Sequence, residues 1–141
     1  MATNNPFITN SHGLSIMTYN VHGFNQAEQC FHEICTEQSV DIVLLQELWL
    51  TPANWYKINN LSTNYVCYGA SAMRAAVSSD ILTGRPYGGT AILINKRFVK
   101  SAKCILTADR IVAITINECL CINTRRREKL IMTIIVIVLI V

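Results

Sequence analysis

The segment from residue 15 to residue 50 has the pattern of a strand, a polar loop, a helix and a second strand. The strands are predicted at residues 15–19 and 41–45. Asn25 is expected to cap the helix between them. The apolar residues of this helix recur on one face: Ala27, Cys30, Phe31, Ile34 and Cys35. A strand–helix–strand unit predicts two parallel strands joined by a right-handed crossover.

Polar residues follow both predicted strands. Asn20 ends the first strand, and Gln46 and Glu47 end the second. Parallel strands place their carboxyl ends at one edge of the sheet, where open α/β sheets bind ligands, so Asn20 and Glu47 are expected to lie side by side. An amide and a carboxylate at that edge suit a hard cation such as Mg²⁺.

The rest of the chain continues the α/β pattern. Thr51 and Pro52 predict the start of a short helix, with Trp55, Tyr56 and Ile58 as candidate packing residues. The small and polar residues 69–88 predict a loop with a helical turn around residues 73–77. Further strands are predicted at residues 65–68, 90–94, 102–106, 110–116 and 120–122, and the strand at 110–116 is apolar enough to be buried on both faces.

Composition limits the class of protein. The 141 residues, 51% of them hydrophobic, allow one domain with a real core. The net charge of +3 comes entirely from residues 125–129, which carry four positive charges and one negative charge. Proteins that hold nucleic acid through its phosphates usually show a basic stripe, and the remaining, formally neutral sequence does not supply one.

The cysteines and the beginning of the sequence favour a reducing compartment. The six cysteines, at positions 30, 35, 67, 104, 119 and 121, match neither a CxxC pair nor a zinc-site spacing. Residues 1–13 are polar and lack the apolar core of a secretory signal. We therefore expect reduced thiols in an intracellular protein, either nuclear or cytoplasmic.

Residues 130–141 are a nearly unbroken apolar run that follows the basic cluster. As a helix this run would be about 18 Å long, against a hydrocarbon core of about 30 Å, so no full transmembrane helix is expected. Its β-branched bias suits a buried strand or an aggregation-prone end. A basic cluster beside an apolar tail also favours anionic lipid, and the alternatives stay open.

Three stretches carry a resemblance to a known family. Asn20 lies in YNVHGFNQ, Glu47 lies in LLQELWLTP, and residues 84–93 read GRPYGGTAIL. In this order and spacing they resemble the endonuclease/exonuclease/phosphatase superfamily. The closest resemblance is to the apurinic-endonuclease-like domains of LINE-type (non-LTR) retrotransposons. It covers residues 13–124 and corresponds to the amino-terminal half of such a domain.

The resemblance implies an α/β fold, specifically a truncated, partial four-layer sandwich in which two mixed β-sheets are flanked by helices. It divides the chain into a polar amino-terminal arm (residues 1–12), the partial domain (13–124) and a basic then apolar tail (125–141). Arg125 stands where the family places a tyrosine, so the family-like sequence is expected to stop near Asn123.

The resemblance also implies metal-assisted hydrolysis of phosphodiesters, with DNA nicking as its endonuclease form. Glu47 matches the family's metal-binding glutamate and Asn20 the asparagine beside it, so these two are the candidate catalytic and metal-binding residues. Gln46 is expected to support them. The implied cofactor is one divalent ion, Mg²⁺ or Mn²⁺, at Glu47. DNA is the expected partner, whereas neither a membrane nor a small-molecule cofactor is expected.

The family's second group of catalytic residues has no match in this sequence. That group comprises an Asp-x-Asn pair and a closing Asp-His pair, but Asp109 is the only aspartate after Asp80 and no histidine follows His32. No base for the attacking water can therefore be assigned. Two functions stay open: a Mg²⁺-dependent endonuclease, and a catalytically inactive remnant of a retrotransposon endonuclease. Phosphatase and lipid-phosphodiesterase branches fit the GRPYGG stretch less well.

Each candidate residue also has a simpler interpretation. In the simpler interpretation, Glu47 is a solvated acid at a strand end and Asn20 only forms an Asx-turn. His22 is expected to be a loop histidine. Arg85 and Tyr87 are candidate nucleic-acid contacts, although a Pro-Tyr-Gly-Gly turn needs no ligand to explain it.

Overall fold

The computed structural model describes residues 15–37, 40–79, 84–108 and 110–116, together with the backbone of residues 119–124. Its strands and helices alternate along the first half of the chain, and strands dominate the second. In order they are β1 (Ile16–Asn20), α1 (Phe24–Glu37), β2 (Ile42–Gln46), a 3₁₀ turn (Pro52–Asn54), α2 (Tyr56–Asn59), β3 (Tyr65–Ala70), α3 (Arg74–Ser78), β4 (Thr90–Asn95), a second 3₁₀ segment (Lys96–Ser101), β5 (Ala102–Ala108), β6 (Ile111–Ile116) and β7 (Cys119–Thr124).

The first sheet has the strand order β1-β2-β4-β3 and is mixed. Strands β1 and β2 pair in parallel, which confirms the predicted strand–helix–strand unit. Strand β4 runs antiparallel to both of its neighbours, β2 and β3. The carboxyl ends of β1, β2 and β3 therefore share one edge with the amino end of β4, and this edge is called the site edge below.

Helix α1 packs its predicted apolar face on the first sheet. The buried residues of that helix are Phe24, Ala27, Phe31, Ile34 and Cys35. They form one core cluster with Val43 and Leu45 of β2 and with Ala91 and Leu93 of β4. The period of the apolar residues thus correctly predicted which face of the helix is buried.

Asn25 does not cap α1, so that prediction was wrong. The helix already begins at Phe24. The amide of Gly23 donates to the Glu47 carbonyl at 2.9 Å, and the amide of Phe24 donates to the Leu48 carbonyl at 2.9 Å. These bonds satisfy backbone donors at the start of the helix, so a side-chain cap is not needed there. Asn25 Oδ1 instead accepts a hydrogen bond from Lys57 Nζ at 2.9 Å.

The second sheet has the order β5-β6-β7, and its described strands are antiparallel. Its central strand packs against the first sheet, because Val112, Ile114 and Ile116 share a buried cluster with Ile42, Leu44, Ile92 and Ile94. Val112, Ala113 and Ile114 are consecutive buried residues, as predicted for β6. The described part of the chain is therefore a helix layer and two stacked sheets, which agrees with a partial α/β sandwich.

The short helix after β2 was predicted correctly in position but not in every contact. Thr51 caps the 3₁₀ turn, its Oγ1 accepting from the Asn54 amide at 3.3 Å. Ile58 is buried and Trp55 is partly buried against the core, whereas Tyr56 is 56% exposed. Two residues turn a helix by about 200°, so once Ile58 faces the core Tyr56 must face away from it.

Four cysteines have described side chains, Cys30, Cys35, Cys67 and Cys104, and all four are free thiols. Burial raises the pKa of the Cys35 thiol to about 11 and that of Cys67 to about 12. Both thiols therefore stay protonated at neutral pH and are poor nucleophiles.

Several predicted segments lie outside the described residues. They are the polar arm at residues 1–12, the basic cluster at 125–129 and the apolar tail at 130–141. The helices that the structure does describe are all too short or too polar to cross a bilayer.

Candidate functional site

The site edge carries a row of polar residues on adjacent strands. Asn20 of β1 pairs with Gln46 of β2, and Gln46 pairs with Thr90 of β4. Paired residues of neighbouring strands project from the same face of a sheet. Leu44 and Ile92, two residues further into the sheet, belong to the core between the two sheets. The polar row therefore lies on the face of the first sheet that packs against the second sheet, at the end of that face where the strands β1 and β2 stop.

Two oxygen atoms of this row are buried without a hydrogen bond to any described residue: Asn20 Oδ1 and Thr90 Oγ1. Thr90 is only 1% exposed. Buried polar atoms in folded proteins nearly always have a partner, so such atoms point to a bound water, ion or ligand. Gln46 differs from them, because its Nε2 donates to Thr18 Oγ1 at 3.3 Å.

Glu47 follows directly on this row and has an unusual backbone. Its φ is +60°, in the left-handed region that non-glycine residues rarely adopt. Such a residue costs about 1–3 kcal/mol and persists only where its surroundings hold it. Here Gly23 N donates to the Glu47 carbonyl, and Leu48 N donates to the Gly89 carbonyl at 3.4 Å. The chain therefore turns at Glu47 between the segment after β1 and the segment before β4.

The side chain of Glu47 is buried, with 5% of its surface exposed. The indole Nε1 of Trp49 donates to Glu47 Oε2 at 2.7 Å. Trp49 is itself in the left-handed region, with φ +53°, and its amide donates to the Gly88 carbonyl at 2.8 Å. The carboxylate is thus held at the site edge by a neighbour two residues along the chain.

The predicted site residues are brought to one edge of the sheet, although their roles stay predictions. Asn20 and Gln46 pair across β1 and β2, and the amide of Val21 donates to the Gln46 carbonyl at 2.8 Å. Arg85 and Tyr87 are exposed in the segment that leads to β4. That segment reaches the same edge, because Gly88 bonds to the backbone of Trp49.

Sequence reasoning missed Trp49 and Thr90. Thr90 is the polar member of an otherwise apolar strand, TAILI, and the observed register places it beside Gln46. The single polar residue was readable from the sequence, whereas the register was not. The role of Trp49 was not, because it depends on the left-handed turn at Glu47.

The oxygen-rich composition of this edge fits a magnesium ion. Among the described residues, no three side chains of His, Cys, Asp or Glu cluster in a way that could enclose a metal. Mg²⁺ does not require such a cluster, since it usually keeps several waters and takes one or two carboxylates plus substrate phosphate oxygens. The Glu47 carboxylate and the unpartnered Asn20 amide oxygen are donors of the type that it prefers.

Replacing Gly23 by alanine should disturb both the fold and the site. Gly23 has φ +105°, and an added Cβ would lie 2.8 Å from Trp49 Cε3. We expect a loss of about 1–3 kcal/mol from backbone strain and a further ~1–3 kcal/mol from overpacking. Chemical denaturation of the full chain measures the sum.

Gly84→Ala separates the two costs. Gly84 has a similar φ of +101°, but an added Cβ would meet no atom of the described residues within 4 Å. It should therefore show the backbone strain alone. Equal losses for the two variants would mean that the ring of Trp49 moves aside freely.

Known proteins share this fold and its sequence pattern. The profile of the Endonuclease/Exonuclease/phosphatase family matches residues 17–129. A search of curated proteins found no match. Among solved structures, a variant of the 3′ phosphatase NExo from Neisseria bound to product DNA hairpin has a TM-score of 0.56 at 21% identity, covering 79% of this chain and 41% of that one. The 3′-5′ exonuclease NExo from Neisseria meningitidis gives a TM-score of 0.55 at 21% identity, with 78% and 40% covered.

The structural likeness confirms the partial α/β sandwich. This chain spans about 40% of the length of the two NExo chains. The family profile, in contrast, accounts for most of this sequence and includes both Asn20 and Glu47. The chain therefore belongs to the Endonuclease/Exonuclease/phosphatase family.

Proposed function

We propose that the site edge is the Glu47 half of a phosphodiesterase site of the endonuclease type, dependent on Mg²⁺ or Mn²⁺ and acting on DNA. The observation that carries this proposal is the combination of a buried carboxylate, Glu47, with a buried amide oxygen that has no described partner, Asn20 Oδ1. Both lie at the carboxyl ends of neighbouring parallel strands, where α/β folds bind their ligands.

Each residue has a defined task in this proposal. Glu47 would hold the divalent ion with Asn20 beside it, and such an ion would supply polarisation of a phosphoryl oxygen and stabilisation of the leaving oxygen. Asn20 orients the phosphate or a water through its amide. Gln46 supports the edge through its bond to Thr18. Burial of the carboxylate strengthens its attraction to a cation, because charges interact more strongly away from bulk water.

DNA is the proposed substrate on two grounds. The motifs around Asn20 and Glu47 and the GRPYGG stretch resemble LINE-type retrotransposon endonucleases, and one similar structure is of a phosphatase bound to a product DNA hairpin. Arg85 and Tyr87 are exposed on the segment that reaches the site edge, so they are the proposed contacts to the DNA backbone. The proposed family domain is residues 13–124.

The alternative function is an inactive remnant of such an endonuclease. It is favoured by the residues of this sequence, which contain no Asp-x-Asn pair and no histidine after His32 to contact a phosphate. In this case the edge retains its shape but lacks a base to activate water.

Conversion of supercoiled plasmid DNA to the open circular form tests the proposal. The purified full chain is incubated with the plasmid in Mg²⁺, in Mn²⁺ and in excess chelator, after circular dichroism has shown that it is folded. We expect open circles with either metal and none with chelator. Nicking that persists in chelator contradicts a metal-dependent site. A folded chain that does not nick DNA with either metal favours the alternative function, an inactive remnant.

A further inference from the structure

We infer that Trp49 is the positioning residue of the proposed metal site, because its indole N–H fixes the orientation of the Glu47 carboxylate. This inference rests on the proposed function, because it assigns Trp49 a task only if Glu47 binds a metal. It concerns a side chain to which neither the sequence motifs nor the comparisons give a role.

The hydrogen bond from Trp49 to Glu47 is well formed. Its length, 2.7 Å, is that expected of a donor to a charged oxygen, and it ends on Oε2 of a residue that is 95% buried. A carboxylate held by one oxygen cannot rotate freely about its terminal bond. The indole therefore limits the orientations that the carboxylate can adopt.

The position of the indole is fixed independently of Glu47. Trp49 N bonds to Gly88 O at 2.8 Å, and the ring packs so closely over Gly23 that any side chain there would collide with it. The ring also meets His22 edge-on, with centroids 6.3 Å apart. Two segments, the one after β1 and the one before β4, thus hold the donor in place before any ligand arrives.

Trp49 is 36% exposed and belongs to neither core cluster. Its described polar side-chain contact is the hydrogen bond to Glu47. Groups that orient a metal ligand typically contribute about 10–100-fold to metal affinity.

Titration with Mn²⁺ tests this inference through binding, without reference to nicking. Trp49→Phe keeps an aromatic ring over Gly23 but removes the donor, so we expect the dissociation constant for Mn²⁺ to rise by about 10-fold. Trp55→Phe is the matched control, since Trp55 is the other tryptophan of the chain and packs at the edge of the core. Its affinity for Mn²⁺ should equal that of the wild type.

The indole N–H resonances of the wild-type chain provide a second readout that needs no substitution. On addition of Mg²⁺, the nitrogen–proton signal of Trp49 should shift and saturate with the metal, while that of Trp55 stays in place. A tryptophan that does not contact a metal ligand would not respond in this way. This measurement holds even if Trp49→Phe fails to fold.

The outcomes separate this inference from the function on which it rests. If the wild type binds Mn²⁺ but both Phe variants bind equally well, or are weakened equally, Trp49 has no positioning role. A Trp49 signal that ignores saturating Mg²⁺ leads to the same conclusion. If the wild type binds neither metal, the proposed function itself fails, and the inference fails with it.

Discussion

Phe31→Ala should lower the free energy of unfolding by about 3–5 kcal/mol, which is a large share of the ~5–15 kcal/mol that stabilises a typical domain. Phe31 is fully buried. Its ring stacks on Phe24 at a centroid distance of 5.5 Å and meets Tyr19 edge-on at 5.9 Å. Truncation would remove both ring contacts and leave a cavity between α1 and the first sheet, because the fixed strands cannot close over it. Urea denaturation followed by circular dichroism measures the loss.

Tyr56→Ala is the matched control for this substitution. It also removes an aromatic ring from a helix, but Tyr56 is 56% exposed. Its unfolding free energy should therefore stay within about 0.5 kcal/mol of the wild type. A small loss at Phe31 and a similar one at Tyr56 would mean that α1 is not docked on the sheet as described.

The predicted order of elements was largely correct because hydrophobic period and strand polarity are local signals. The apolar face of α1, the parallel pairing of β1 with β2 and the polar residues at the site edge all follow from residues 15–50. Parallel strands need a crossover, and the sequence supplies one helix of the right length between them. The placement of Asn20 and Gln46 on one edge is a direct consequence.

The wrong predictions concern positions where contacts between distant segments, and not local sequence, determine the backbone. Asn25 is a good capping residue, but backbone carbonyls of Glu47 and Leu48 already bond to the amides before it. The left-handed backbone of Glu47 has no local signal either, because glutamate does not favour positive φ. The turn depends on the segments around Gly23 and Gly89, which are distant in sequence and close in space.

Glu47→Gln should weaken the binding of Mn²⁺ on the order of 100-fold or more, because it removes the charge of a primary ligand, whereas even an orienting neighbour contributes 10–100-fold. Glutamine has nearly the same shape and can still accept the hydrogen bond from Trp49 Nε1. The fold should therefore survive, and nicking of supercoiled DNA should fall with metal affinity. Calorimetric titration with Mn²⁺ measures the change.

Glu33→Gln makes the same chemical change on the exposed face of α1. It raises the net charge by one in the same way, so any general electrostatic attraction of Mn²⁺ to the chain changes equally in both variants. We expect this control to bind Mn²⁺ like the wild type. If the two glutamine variants lose the same affinity, the cation binds the charged surface and not the site edge. If Glu47→Gln binds Mn²⁺ as well as the wild type, the ion is held by other residues and the assignment of Glu47 is wrong.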